Sequence, residues 1–248
     1  MSRHPQKPER DARPAAALEA IDLTKDYGDG PALAPLSLRV EPGEQVALVG
    51  HNGSGKTTLL RMAAGLLEPS GGRATVFGEA AGTLPARRRV AYLSDQPTFY
   101  DDLSVWEHLE YVARMHGVEE WDELAAELLG HVGLYERADD LPNRFSRGLR
   151  QKAAIVLAFV RPFDLLLVDE PFVGLDAGGR DALLGLLAQA GADGATLVVA
   201  THDLSYVDHV DRLVALRDGV VVHDGPGGTS DAQSLVRSER DEEFDADG

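Results

Sequence analysis

Nine consecutive residues constrain this chain more than any others. GHNGSGKTT (50–58) follows a short β-rich run, EQVALVG (44–50), and leads into KTTLLRMAAGLL (56–67), whose apolar residues recur at helical spacing. A strand that enters a glycine-rich turn and leaves as a helix is a ready cradle for phosphate. The glycines let the backbone curl so that successive N–H groups converge, and the helix start adds a partial positive charge. The stretch satisfies G-x-x-x-x-G-K-[ST] at Gly50, Gly55, Lys56 and Thr57. Between them His51, Asn52, Gly53 and Ser54 complete the loop. Lys56 brings a cation to the β- and γ-phosphates, Thr57 a hydroxyl for Mg2+, and Thr58 a further phosphate donor.

A cradle of this kind needs an acid to hold the metal and a group to orient water. DLLLVDEP (164–171) is a continuous aliphatic run, the mark of a buried strand, and it ends in Asp169 and Glu170. Adjacent strand residues point to opposite sides, so one carboxylate meets Mg2+ while its neighbour reaches the γ-phosphate region. Asp169 is assigned to the metal and Glu170 to the general base. Two acids closing a strand at a turn are common, but Pro171 and GLD (174–176) follow these. A second aliphatic run, ATLVVATH (195–202), ends in His202, which is placed to hydrogen-bond a γ-phosphate. The other histidines are scattered, and no pair has metal-ligand spacing.

Strands and helices alternate along the chain, so the fold class is α/β. RATVFG (73–78) and RVAYLS (89–94) read as strands. SVWEHLEYVARMHG (104–117) opens with the Ser104/Glu107 capping-box spacing and carries Leu109, Val112 and Ala113 on one face. WDELAAELLGHVG (121–133) is a second amphipathic helix. RLVALRDGVVVHDG (212–225) reads as a hairpin turning at Asp218-Gly219. Residues 1–15 read as a disordered leader, 16–228 as the folded domain with a helical subdomain at about 100–162, and 229–248 as an acidic, solvated tail.

Composition narrows the partners. The chain holds 24 Lys and Arg against 41 Asp and Glu, a formal charge of −17, which disfavours binding to nucleic acid or to anionic lipid directly. There is no cysteine, so disulfides and thiolate metal sites are absent. The N-terminus has no apolar signal core, and no apolar run approaches the roughly 20 residues of a membrane span.

FSRGLRQK (145–152) has no role within this inventory until the whole order is considered. A phosphate cradle, a serine–glycine helix start, an aliphatic strand ending in DE, a GLD turn and a TH after the next strand together resemble the ATPase subunit of ABC transporters, over roughly residues 18–225. The resemblance implies a P-loop NTPase of the ABC-ATPase fold. Its features are a mixed core sheet, an N-terminal antiparallel β part and an inserted helical subdomain. FSRGL sits at the family's LSGGQ signature. Ser146 and Gly148 match its Ser and second Gly, whereas Phe145, Arg147 and Leu149 depart from it.

In that family two subunits pack head to tail, and the signature of one closes over the γ-phosphate held by the other. The resemblance therefore implies ATP and Mg2+ as ligands, and a second copy or related subunit as partner. It implies too a separate transmembrane permease, with the chain cytoplasmic and peripheral at the inner face of the membrane. It carries over Tyr27 as the aromatic that stacks on adenine and Asp176 as the contact to the opposite subunit. In YLSDQPTFYDDLSVWEHL (92–109) the family places a Gln that touches metal and water. Spacing puts Asp95 there, and a one-residue shift would put Gln96 there instead. SRG at the signature and the short chain resemble the exporter-type members. A soluble ABC-type ATPase of DNA repair or translation is the alternative. A P-loop small-molecule kinase, which would not need Ser146–Gly148, is a third reading.

Overall fold

The computed structural model describes residues 14–28 and 30–226. Nearly all of the expected leader, and the whole of the expected acidic tail, lie outside these residues. Ten strands and six α-helices are found among the described residues. In chain order they are β1 (Leu18–Asp26), β2 (Pro31–Val40), β3 (Gln45–Val49), α1 (Lys56–Ala63), β4 (Gly71–Val76), β5 (Glu79–Ala80), α2 (Leu84–Arg89) and β6 (Val90–Leu93). There follow α3 (Val105–Met115), α4 (Trp121–His131), α5 (Arg147–Phe159), β7 (Leu165–Asp169), α6 (Ala177–Ala192), β8 (Thr196–Ala200), β9 (Arg212–Arg217) and β10 (Val220–Gly225).

The strands form two sheets. One is antiparallel, in the order β2-β1-β4-β5. The other runs β10-β9-β3-β8-β7-β6, parallel throughout except for β10 at its edge. Side-chain alternation in the larger sheet divides the core in two. Val46 and Leu48 of β3 and Leu165 and Leu167 of β7 face α1 and the antiparallel sheet. Ala47 and Val49, with Leu166 and Val168, face the layer built from α3 to α6. Every residue of β7 and β8 is buried, which is why these segments read as unbroken aliphatic runs.

Helices α3, α4 and α5 lie between β6 and β7 in sequence and pack against one another, with Trp106 and Trp121 ring centroids 5.1 Å apart. The capping box opening α3 forms: Ser104 Oγ accepts from Glu107 N–H, and the Glu107 carboxylate accepts from Ser104 N–H. Reciprocal bonding holds the Glu107 carboxyl below its ordinary value. The hairpin turns as expected, with both Asp218 and Gly219 at positive φ. Helix α1 is shorter than its sequence pattern. It ends at Ala63 rather than Leu67 because Gly65 adopts φ +70° and turns the chain away.

Candidate nucleotide site

The parallel sheet brings the catalytic candidates to one edge. β3, β8 and β7 are neighbours, and all three run in the same direction. Their C-terminal ends carry Gly50, His202 and the Asp169–Glu170 pair, in that spatial order. Crevices at this end of a parallel sheet are where such folds bind ligands.

Between β3 and α1 the backbone curls as the glycines allow. Gly55 sits at φ +102°, and a Cβ there would come within 2.9 Å of the Ala32 carbonyl oxygen, so no other residue fits. Asn52 to Thr58 line a cavity of about 280 Å3 with Ala32, Asp95 and Glu170. Lys56 is only 5% exposed, and its ammonium is held by the loop and by the acid pair. It donates to the Gly50 carbonyl at 2.7 Å and the His51 carbonyl at 3.2 Å, and lies 3.4 Å from Glu170 Oε1. His51 Nε2 lies 3.2 Å from Asp218, which ties the loop to the β9–β10 turn.

Asp169 is fully buried, and its Oδ1 has no hydrogen-bond partner. Burial pushes its carboxyl above the ordinary range, opposed by the adjacent Thr57 hydroxyl. Tyr92 of β6 donates its phenol to Asp169 Oδ2 at 3.3 Å, and burial drives that phenol up to about 12. Asp169 itself does not line the cavity, but its unsatisfied carboxylate oxygen stands behind the Thr57 hydroxyl, which lines it with Asp95 and Glu170, and these oxygens are a donor set that suits Mg2+. No group of three or more acidic, histidine or cysteine side chains gathers among the described residues.

Glu170 is a non-glycine residue at φ +44°, a conformation that costs about 1–3 kcal/mol and concentrates at functional sites. Its N–H donates to the Ala200 carbonyl at 2.8 Å. Its Oε2 accepts from His202 Nδ1 at 2.7 Å and from the His202 backbone N–H at 3.2 Å. A carboxylate only accepts, so the Nδ1 hydrogen is on the histidine. Glu170 Oε1 has no hydrogen-bond partner and faces Lys56.

The remaining sequence candidates divide. Asp95 lines the phosphate cavity, whereas Gln96 lines the neighbouring one and donates its side-chain amide to Asp95 Oδ2 at 3.3 Å. Ser146, Gly148, Tyr27 and Asp176 do not line the phosphate cavity. Ser146 caps α5, its Oγ accepting from Leu149 N–H. Gly148 packs against the Gly174 carbonyl, and a Cβ there would stand 2.3 Å from that oxygen. Asp176 caps α6 through Gly179 N–H and pairs with Lys152 of α5 at 2.9 Å. Tyr27 is 61% exposed with the Lys25 ammonium 5.4 Å from its ring centroid. The sequence reasoning missed Tyr92. Its contact with Asp169 follows from the β6–β7 pairing, which no local pattern announces.

Residues 33–173, from β2 through the acid pair, match the ABC transporter family. This chain belongs to that family. It is an ATP-binding cassette and an ATPase. Among its relatives is the SkfA peptide export ATP-binding protein SkfE of Bacillus subtilis (strain 168), 34% identical over 210 residues that cover 84% of this chain and 88% of that protein. A solved ATP-binding subunit of an ABC transporter superposes with a TM-score of 0.80 at 34% identity, covering 92% of this chain and 98% of the other. The cassette MJ0796, solved as a dimer in a post-hydrolysis state bound to ADP and Pi, gives 0.78 at 27% identity, covering 84% and 98%. No helix among the described residues of this cassette is long and apolar enough to cross a membrane.

Proposed function

We propose that this cassette pairs head to tail with a second copy or a related subunit on MgATP, and that hydrolysis drives export through a separate membrane permease. The observation that carries the reading is the asymmetry of the site. One side of the phosphate cavity is complete, with the loop, Lys56, Asp95 and Glu170, while the capped start of α5 stands apart from it in the same chain. A second chain's Ser146 hydroxyl, Gly148 backbone and α5 N-terminus supply donors for the γ-phosphate that this chain withholds from itself. The MJ0796 dimer supports pairing, and the name of SkfE supports export.

The chemistry follows from the resting contacts. The loop amides and Lys56 take the phosphates, so the ammonium exchanges carbonyl partners for phosphate oxygens. Thr57, Asp169 and Asp95 would hold Mg2+, which when bound spreads the negative charge of the phosphates. Tyr92 fixes Asp169 from behind. His202 occupies Oε2 of Glu170 and leaves Oε1 to accept a proton from water. That water's oxygen bonds to the γ-phosphorus while the bond to the β–γ bridging oxygen breaks, and ADP and phosphate depart. With the γ-phosphate gone, the ligand shared by the two chains is gone, and the closed pair loses its advantage.

Glu170→Gln removes the base but keeps its shape. Turnover should fall at least a hundredfold, in line with general-base contributions of about 10²–10⁴. Light scattering should then show a MgATP-dependent dimer. A mutant that stays monomeric at saturating MgATP, and pairs with no related chain, would refute the sandwich. Ser146→Ala should cripple hydrolysis, whereas a small-molecule kinase would barely notice it.

A further inference from the structure

Arg61 lies in the last turn of α1, one turn beyond Thr57. Residues four apart share a helix face, so the side of α1 that carries the Thr57 hydroxyl carries a guanidinium behind it. Arg61 Nη2 stands 3.8 Å from Asp95 Oδ1. With Tyr92 it lines the cavity next to the phosphate site, and it bonds to the Tyr92 phenol. That bond first, and then the charges of Asp95 and Asp169, hold the guanidinium above its ordinary value against the cost of desolvation.

The direction of these contacts follows from their chemistry. A guanidinium only donates, and a phenol has one hydrogen to give. Tyr92 gives it to Asp169 Oδ2 at 3.3 Å, so the phenol oxygen accepts from Arg61. Donation into that oxygen polarises the O–H and strengthens its bond to Asp169. Asp95 is held in parallel, with Ser94 Oγ donating to its Oδ1 and Gln96 Nε2 to its Oδ2, each at 3.3 Å. Folding gains little from the Arg61–Asp95 pair, because the arginine side chain is 43% exposed and open ion pairs stabilise weakly. The site gains more. The charges of Asp95 and Glu170 both push the Asp169 carboxyl up; Lys56 answers Glu170 at 3.4 Å, and Arg61 is the cation on the Asp95 side.

We infer that Arg61 is a positioning residue for the metal-side carboxylates, steadying Asp95 directly and Asp169 through Tyr92. The inference rests on Asp95 and Asp169 being the carboxylates that hold Mg2+. Two effects oppose each other. The charge of Arg61 repels a cation, while its bonds set the ligands in place beforehand. A guanidinium this open to water is screened, so the repulsion is weak. Removing an outer partner of a metal-binding carboxylate lowers metal affinity by about 10- to 100-fold. Positioning therefore outweighs repulsion, and arginine at this place favours the metal.

The test measures the affinity of the full chain for the non-hydrolysable analogue AMP-PNP by calorimetry, once with Mg2+ and once with EDTA. The ratio of the two affinities reports what the metal contributes. Arg61→Gln should shrink that ratio about tenfold, while the affinity in EDTA moves less than about twofold. Arg61→Lys keeps the charge but loses the planar fork, and should recover only part of the ratio. Tyr92→Phe should shrink it too. The double variant should lose less than the product of the two single losses, because both act on Asp169 through one chain of bonds. Melting temperatures of the Arg61 variants should stay within about 3 °C of the unaltered chain. Asp169→Asn separates the two ways to fail. If it leaves the ratio unchanged, the metal assignment falls and this inference with it. If it shrinks the ratio while Arg61→Gln leaves it unchanged, raises it, or weakens both affinities alike, the role of Arg61 alone is overturned.

Discussion

Gly148→Ala sets two well-understood effects against each other. Alanine is the better helix former, by about 0.5–1 kcal/mol at an unobstructed site. At this position the added methyl carbon would stand 2.3 Å from the Gly174 carbonyl oxygen, a contact that real Cβ atoms do not make. Either α5 or the turn before Asp176 must move, and forced overpacking of this kind costs about 1–3 kcal/mol. The clash should win, leaving a net loss of about 1–2 kcal/mol, or roughly 2–8 °C in Tm for a domain of this size. Gly185, in the exposed middle of α6, is the internal control, because a Cβ there meets nothing within 4 Å. Gly185→Ala should raise Tm by about 1–4 °C through propensity alone. Calorimetry compares the two directly. Because Gly148 sits next to the cap formed by Ser146, its displacement should also lower turnover more than ATP binding to the single chain. If Gly148→Ala is as stable as the Gly185 variant, the close approach of α5 to the 174 turn is wrong, and with it the account of why glycine stands there.

Three further outcomes follow from the site and the helices around it. His202→Ala leaves Glu170 Oε2 with only the backbone N–H of residue 202 and should cut kcat by about a hundredfold, as misplacement of a catalytic group does, with KM for ATP little changed in steady-state phosphate release. Lys56→Ala deletes the charge-assisted contacts of a buried ammonium and should weaken ATP binding by about ten- to a hundredfold in calorimetric titration. Glu107 has a depressed folded value, so its support for α3 is complete above its ordinary 4.5 and lost as pH falls through the lower folded value. Amide protection factors at the start of α3, taken relative to the intrinsic exchange rate at each pH, should therefore fall as pH drops below 4.5, and Glu107→Gln should flatten that dependence.

How much of this was legible beforehand depended on whether the chemistry was contiguous. The phosphate cradle, the acid pair and the capping box each lie within a few residues, where backbone direction and side-chain spacing are set locally. The hairpin at Asp218-Gly219 was legible for the same reason. The end of α1 was not, since its apolar pattern continues to Leu67 while the chain turns at Gly65. Spacing favoured Asp95, but a one-residue shift kept Gln96 open, because a loop between β6 and α3 is placed by its anchors and not by its own composition. Asp176 and Ser146 illustrate a different limit. Both are helix caps within their own chain, a plain role that coexists with the one proposed across two chains.

From sequence alone, the chain had to be an α/β domain that holds phosphate at a strand–helix turn and sets two carboxylates at the end of a buried strand. Folding decided which groups meet there. It set His202 on Glu170, Tyr92 on Asp169 and Gly148 against Gly174. Those meetings depend on the pairing of β3, β6, β7 and β8, strands separated by tens of residues. Their register comes from packing two core layers at once, and no short stretch of sequence carries that information.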